Sequence, residues 1–98
     1  MLTHVVLIKL RDGVDPGAVD ALLDGLGRLP EQIPEIQSYT VGRDMGLVDG
    51  NYDLAVMARF TAPEALQTYL EHPAHRDLVR DLLDPVSAHR ARIQFPTM

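Results

Sequence analysis

Residues 3–10 are apolar on both faces of a strand, and this feature restricts the possible folds of the chain most strongly. Their β-branched side chains favour an extended strand, in which successive residues point to opposite sides. One face consists of His4, Val6, Ile8 and Leu10, and the other consists of Thr3, Val5, Leu7 and Lys9. A strand that is apolar on both sides is typical of the centre of a sheet with both faces covered.

The rest of the chain alternates between helix and strand patterns. Apolar residues at helical spacing from Val19 to Leu29 predict an amphipathic helix on the sheet. Further strands are predicted over residues 36–43, 52–60 and 86–95, with a second helical region between the last two. This order predicts an α+β, ferredoxin-like βαββαβ fold, in which helices cover one face of an antiparallel four-stranded sheet.

Prolines and one capping motif suggest where the helices begin and end. Asp15-Pro16 is a typical helix start, and we expect Pro30 to end that helix. Thr61 and Glu64 fit a capping box at the start of the second helical region. Pro73 marks a further helical start within this region.

The sheet face away from the helices also needs a cover. Val5, Leu7 and either Tyr39 or Ile36 are candidates for apolar side chains on that face. A chain of 98 residues is expected to form one domain, residues 1–98, with no segment left to cover the sheet. We therefore expect a homodimer, with two sheets packed together into a dimeric α+β barrel.

Composition excludes several classes of function. Nine Lys and Arg against fourteen Asp and Glu give a net charge of −5, which argues against nucleic-acid binding. The chain has no Cys, so thiolate nucleophiles and Cys zinc sites are excluded. The longest apolar run, residues 5–8, is far too short to span a membrane, and no signal peptide is apparent at the N-terminus. We expect a cytoplasmic protein without membrane partners.

Four segments together resemble one known family. They are residues 4–10 (HVVLIKL), residues 29–34 (LPEQIP), the pair Tyr52-Asp53, and residues 69–75 (YLEHPAH). Over nearly the whole chain the sequence is similar to the stress-responsive α/β barrel (Dabb) family of dimeric α+β barrels. Some members are stress-associated proteins, and one plant member is a polyketide cyclase that performs a cofactor-free aldol condensation.

The resemblance to that cyclase implies three catalytic positions. They are His4 on the first strand, Tyr69, and His75, the second histidine of the His-Pro-Ala-His segment. Two departures stand out. Arg90, Arg92 and Gln94 share one face of a last strand that is usually apolar, and the first helix carries leucines where the cyclase pocket is aromatic.

The chemistry of these residues is consistent with the implied roles. His75 lies on an apolar helical stripe and His4 on an apolar strand face, so both imidazoles are expected to meet over an apolar floor. An imidazole titrates near neutral pH and can take a proton from a carbon between two carbonyls, without a cofactor. Tyr69 lies six residues before His75, so the chain must bend at Pro73 to bring them together. The pocket is predicted to include Val6, Leu23, Leu26, Val56 and Leu78.

Other interpretations of the same residues remain open. His4, Tyr69 and His75 also fit a non-catalytic stress-response or structural protein, in which they are packing and hydrogen-bonding groups. His72 and His75, with His4 as a third ligand, form only a weak metal motif, and we predict no metal. A cofactor-free monooxygenase is a third alternative, although no Trp and only two Phe are present to build an aromatic pocket. The predicted ligand is a small hydrophobic or polyketide-like molecule.

Overall fold

The fold of residues 1–97 is described from a computed structural model. Its strands are β1 (Leu2–Leu10), β2 (Ser38–Arg43), β3 (Leu54–Phe60) and β4 (Ser87–Pro96). Its helices are α1 (Pro16–Gln32), α2 (Pro63–Glu71) and α3 (Pro73–Leu78), and α3 runs directly into a π-helical segment, Val79–Leu83. No helix within residues 1–97 has both the length and the apolar character needed to cross a membrane.

The four strands form one antiparallel sheet in the order β2-β3-β1-β4. The ferredoxin-like prediction is therefore confirmed, and β1 lies inside the sheet between β3 and β4. The helices cover one face, where α1 contributes buried apolar side chains to the core. Because Gly25 has no side chain, α1 can approach Leu78 and Leu82 closely, which holds α3 against the rest of the core.

Two predicted helix boundaries were wrong. Helix α1 continues through Pro30 to Gln32, and Ile33 after it is extended because the following residue, Pro34, disfavours helical geometry there. The capping box also fails: the N-cap of α2 is Ala62, not Thr61, and no side chain caps it. Pro63 occupies the first helical position, so the cap must be the residue directly before it.

The sheet face opposite the helices carries exposed apolar side chains. Met57 is 48% exposed and Ile93 is 58% exposed, and both pair with Val5 across the sheet. Tyr39 does not belong to this face: it pairs with Ala58 on the helix side. Ile36 precedes β2 and packs against the core. Strand β2 starts two residues later than predicted, so Ile36 lies before the strand, and the register with β3 puts Tyr39 on the helix side.

We expect this open face to bury itself against a second copy, giving a dimer at micromolar concentration in analytical ultracentrifugation. Ile93→Asp should weaken the dimer by about a hundredfold or more, because an unpaired carboxylate would be buried between the sheets. Val48→Asp, at a 64% exposed loop position, is the matched control and should leave the dimer intact. A wild-type protein that sediments as a monomer would contradict the prediction.

Candidate functional site

A cavity of about 440 Å³ lies between the inner face of the sheet and the α3 region. Its walls combine two imidazoles, two guanidinium groups and four aliphatic side chains: His4, Val6, Leu70, His75, Val79, Leu83, Arg90 and Arg92. No carboxylate is among these lining residues. The cavity is within the volume range of small-molecule sites, and it joins an apolar surface to a few polar groups as such sites do.

His4 is held in the centre of the sheet, with only 2% of its surface exposed. The side-chain amide nitrogen of Gln94, opposite His4 on β4, donates to His4 Nδ1 at 2.8 Å. Because an amide nitrogen only donates, Nδ1 must accept, and the proton of the neutral ring is on Nε2. Within residues 1–97, Nε2 has no hydrogen-bond partner. No side-chain N or O atom of these residues is both fully buried and without a partner, so Nε2 retains some contact with solvent.

His75 has the opposite arrangement of its ring nitrogens. Its Nδ1 lies 3.2 Å from the backbone carbonyl oxygen of Leu70. A carbonyl oxygen only accepts, so Nδ1 carries the proton and Nε2 is left with its lone pair. The two histidines of the cavity therefore present one N–H donor and one free acceptor.

The break between α2 and α3 sets the position of His75. Pro73 begins α3 and keeps His72 extended, so the chain turns between the two helices. The Nδ1 atom of His72 accepts a hydrogen bond from the backbone N–H of Ala74 at 3.0 Å, which caps α3. This turn brings the rings of Tyr69 and His75 to a centroid distance of 4.4 Å, although they are six residues apart.

Tyr69 packs against the two histidines from the buried core. It is 3% exposed and does not line the cavity. Its ring lies 6.2 Å from that of His4, edge to face, and its hydroxyl is 2.8 Å from the hydroxyl of Tyr39. Sequence reasoning missed Tyr39 as a member of this cluster because it left open whether Tyr39 or Ile36 lies on the outer face. The pairing of Tyr39 with Ala58, which itself pairs with His4, puts Tyr39 on the helix side.

Burial keeps both histidines uncharged at neutral pH. It lowers the pKa of His4, and the neighbouring His75 and Arg92 lower it further. Burial also lowers the pKa of His75, against a raising effect of the Leu70 carbonyl, and the nearby His72 adds a small lowering effect. For the tyrosines burial acts in the opposite sense and raises the pKa of Tyr69 and of Tyr39, so both hydroxyls keep their protons.

The structure brings only one of the five predicted pocket residues to this cavity. Val6 lines it. Leu26, Val56 and Leu78 are buried in the core, and Leu23 lines a separate groove between α1 and β2. Sequence reasoning missed the wall formed by Val79 and Leu83, which the π-helical segment turns towards the sheet.

A metal site does not form around the histidines. His72 uses Nδ1 to cap α3, and it does not line the cavity with His4 and His75. Within residues 1–97, no group of three His, Asp or Glu side chains is placed to hold a metal ion.

Comparison with known proteins identifies the family. The sequence model of the stress responsive A/B barrel domain, Dabb, matches residues 2–96. The chain belongs to the Dabb family. The stress-response A/B barrel domain-containing protein HS1 of Arabidopsis thaliana is 30% identical over 74 residues, which cover 74% of this chain and 68% of that protein.

Solved structures of similar proteins agree with the Dabb fold. A dimeric ferredoxin-like protein of unknown function from Thermobifida fusca is 35% identical, with a TM-score of 0.90 over 98% of this chain and 90% of the other. Its dimeric state supports a homodimer here. The hydroxynitrile lyase of Passiflora edulis has a TM-score of 0.84 over 96% of this chain and 90% of its own. At 14% identity it shows the shared fold alone.

We expect the Dabb domain to lose stability as the pH falls below about 6.5, the ordinary histidine pKa. The folded-state pKa of His4 and of His75 is lowered, so below pH 6.5 the unfolded chain binds more protons than the folded one. Their contribution is complete above this pH and is lost as the pH falls through the folded pKa values. Urea unfolding at fixed protein concentration from pH 8 to 5 measures the change.

His75→Asn should flatten this pH dependence, since asparagine can still donate to the Leu70 carbonyl but does not titrate. Arg28→Gln, at an exposed position of α1, is the control and should keep the wild-type pH dependence. Equal pH dependence in wild type and His75→Asn would contradict the assignment of a lowered pKa to His75.

Proposed function

We propose that this Dabb protein binds a small β-dicarbonyl or polyketide-like compound as a homodimer and catalyses cofactor-free acid/base chemistry on it. One observation carries the proposal: His75, whose Nε2 is a free acceptor, and His4, whose Nε2 carries the proton, line the same cavity. Both imidazoles have lowered pKa values, so both are in the neutral state that this pairing requires.

The reaction that suits this pair starts with removal of a proton from carbon. His75 Nε2 takes a proton from the carbon between two carbonyls, and the electrons of the C–H bond move onto a carbonyl oxygen. The His4 N–H donates to this enolate oxygen, which stabilises the charge where it develops. In a polyketide-like compound the carbon then attacks a further carbonyl of the same molecule, beyond the two that flank it, and the resulting alkoxide takes the proton back from His75. Together these steps are a net isomerisation of the substrate, so they need no oxidant, reductant or metal.

The cavity wall suits such a substrate. Val6, Leu70, Val79 and Leu83 provide apolar contact for a carbon chain. Partial exclusion of water strengthens the hydrogen bond to a developing enolate. The hydroxynitrile lyase of Passiflora edulis is an enzyme with the same fold, although the likeness extends to the fold alone.

Tyr69 acts in this proposal as a positioning residue. Its ring packs against His75, and its hydroxyl is engaged by Tyr39. This contact limits rotation of the His75 imidazole in the cavity wall. The competing role for Tyr69 is to hold the substrate carbonyl through its hydroxyl, and the two roles can be separated by experiment.

Proton abstraction can be measured with pentane-2,4-dione as the probe. We expect wild-type protein to accelerate exchange of its C3 protons for deuterium, followed by proton NMR at pD 7. His75→Asn should lower the protein-dependent rate by about a hundredfold, which is a typical contribution of a general base. His89→Asn should exchange like wild type, since His89 lies outside the cavity.

The non-catalytic interpretation makes the opposite forecast. It expects no acceleration by wild type, and no change of the imidazole NMR signals when pentane-2,4-dione is added. An unperturbed titration of His75 together with a rate equal to that of buffer would end the catalytic proposal.

Tyr69→Phe and Tyr39→Phe form a matched pair for the role of Tyr69. Each removes one partner of the 2.8 Å hydroxyl contact. If Tyr69 positions His75, both variants should lower kcat by similar, modest factors and leave KM nearly unchanged. If the Tyr69 hydroxyl instead binds the substrate, Tyr69→Phe alone should raise KM or lower kcat. Steady-state exchange rates at varied probe concentration distinguish the two.

A further inference from the structure

Strand β4 carries a row of polar side chains on the inner face of the sheet. Arg90 pairs with Ile8, Arg92 with Val6 and Gln94 with His4 in the antiparallel register between β4 and β1. Alternation therefore places all three on the same face as His4. β4 is an edge strand, and Arg90 and Arg92 of this row line the cavity rather than joining the core.

Two members of the row already have partners within the chain. Arg90 forms an ion pair with Asp84 and also donates to Ser87 Oγ at 3.1 Å. Gln94 donates to His4. Arg92 is different: within residues 1–97 no carboxylate pairs with it and no hydrogen bond engages its guanidinium.

The surroundings of Arg92 favour an anion. The cavity has no carboxylate in its lining, and Asp84 is already paired with Arg90. The chain as a whole carries a net charge of −5, so an unpaired guanidinium in a carboxylate-free cavity is a local exception to its charge distribution. A guanidinium has fixed donors that match the two oxygens of a carboxylate.

We propose that Arg92 recognises a carboxylate on the ligand, so that the substrate is an anionic β-keto acid with a small apolar body. Arg92 and Gln94 are two residues apart on β4, about 7 Å along the strand. Gln94 lies opposite His4, so one small molecule can place its carboxylate at Arg92 and its keto oxygen at the His4 N–H. The carbon between these two groups then faces the cavity that His75 also lines.

Binding of the carboxylate depends only on the cavity, whereas turnover of the bound β-keto acid rests on the proposed function. Acetoacetate and pentane-2,4-dione test both parts, because they differ chiefly in an ionised oxygen in place of a methyl group. Dissociation constants at pH 7 are measured from the shifts of the imidazole NMR signals, and C–H exchange is measured on the same samples.

We expect wild type to bind acetoacetate at least about tenfold more tightly than pentane-2,4-dione. In Arg92→Gln the ratio of the two dissociation constants should fall to nearly one, and Arg92→Lys should restore part of it. Arg28→Gln changes the net charge equally on an exposed position of α1, outside the cavity, and should keep the wild-type ratio. Circular dichroism confirms folding of each variant.

The outcomes separate this inference from the proposed function. An unchanged ratio in Arg92→Gln overturns carboxylate recognition, even if His75→Asn still abolishes exchange. An Arg92-dependent preference for acetoacetate without any accelerated exchange supports the anion site and overturns the catalytic proposal. Equal loss of preference in Arg28→Gln and Arg92→Gln overturns the site in favour of general charge attraction.

Discussion

Pairing of β1 with two neighbours is the interaction on which the rest of the structure depends. Strand β3 on one side and β4 on the other satisfy the backbone of β1, while its inner side chains join the core. The same pairing places His4 opposite Gln94, which defines the tautomer of the imidazole. A catalytic candidate thus lies in the most restrained strand of the sheet, where its ring is oriented before any ligand arrives.

The second restraint comes from the break at His72 and Pro73. A continuous helix would send Tyr69 and His75 to different sides, because six residues correspond to about one and two-thirds turns. The extended residue between α2 and α3 removes this conflict, and the Leu70 carbonyl accepts a hydrogen bond from His75 Nδ1. The neighbour Gln94 on β4 therefore orients His4, and the helix break orients His75. As a result, His4 keeps an N–H donor and His75 keeps a free acceptor nitrogen.

The fold was largely predictable because its signals are local. Apolar periodicity and proline positions define the strands and helices, and the βαββαβ order with an apolar β1 indicates a ferredoxin-like sheet with β1 inside it. The meeting of Tyr69 with His75 also followed from the proline at position 73. The pocket residues were less predictable. Which leucines line a cavity rather than fill the core depends on the π-helical turn at residues 79–83, and periodicity does not reveal that turn. Tyr39 was missed because alternation along β2 does not reveal which face points to the helices, and only the pairing with Ala58 on β3 decides it.

The edge position of β4 has a consequence for how members of this fold can diverge. The side chains of Arg90, Arg92 and Gln94 are all exposed in the protomer, although they face the same space as His4. Substitutions at exposed positions usually change stability by about 0.5 kcal/mol or less. At Arg92, which has no ion pair or hydrogen bond within residues 1–97, ligand preference can therefore change at little cost to folding, whereas His4 and His75 lie on elements where change is expensive. During evolution towards a new ligand, β4 is therefore the element whose cavity-lining residue can be replaced with the smallest loss of stability.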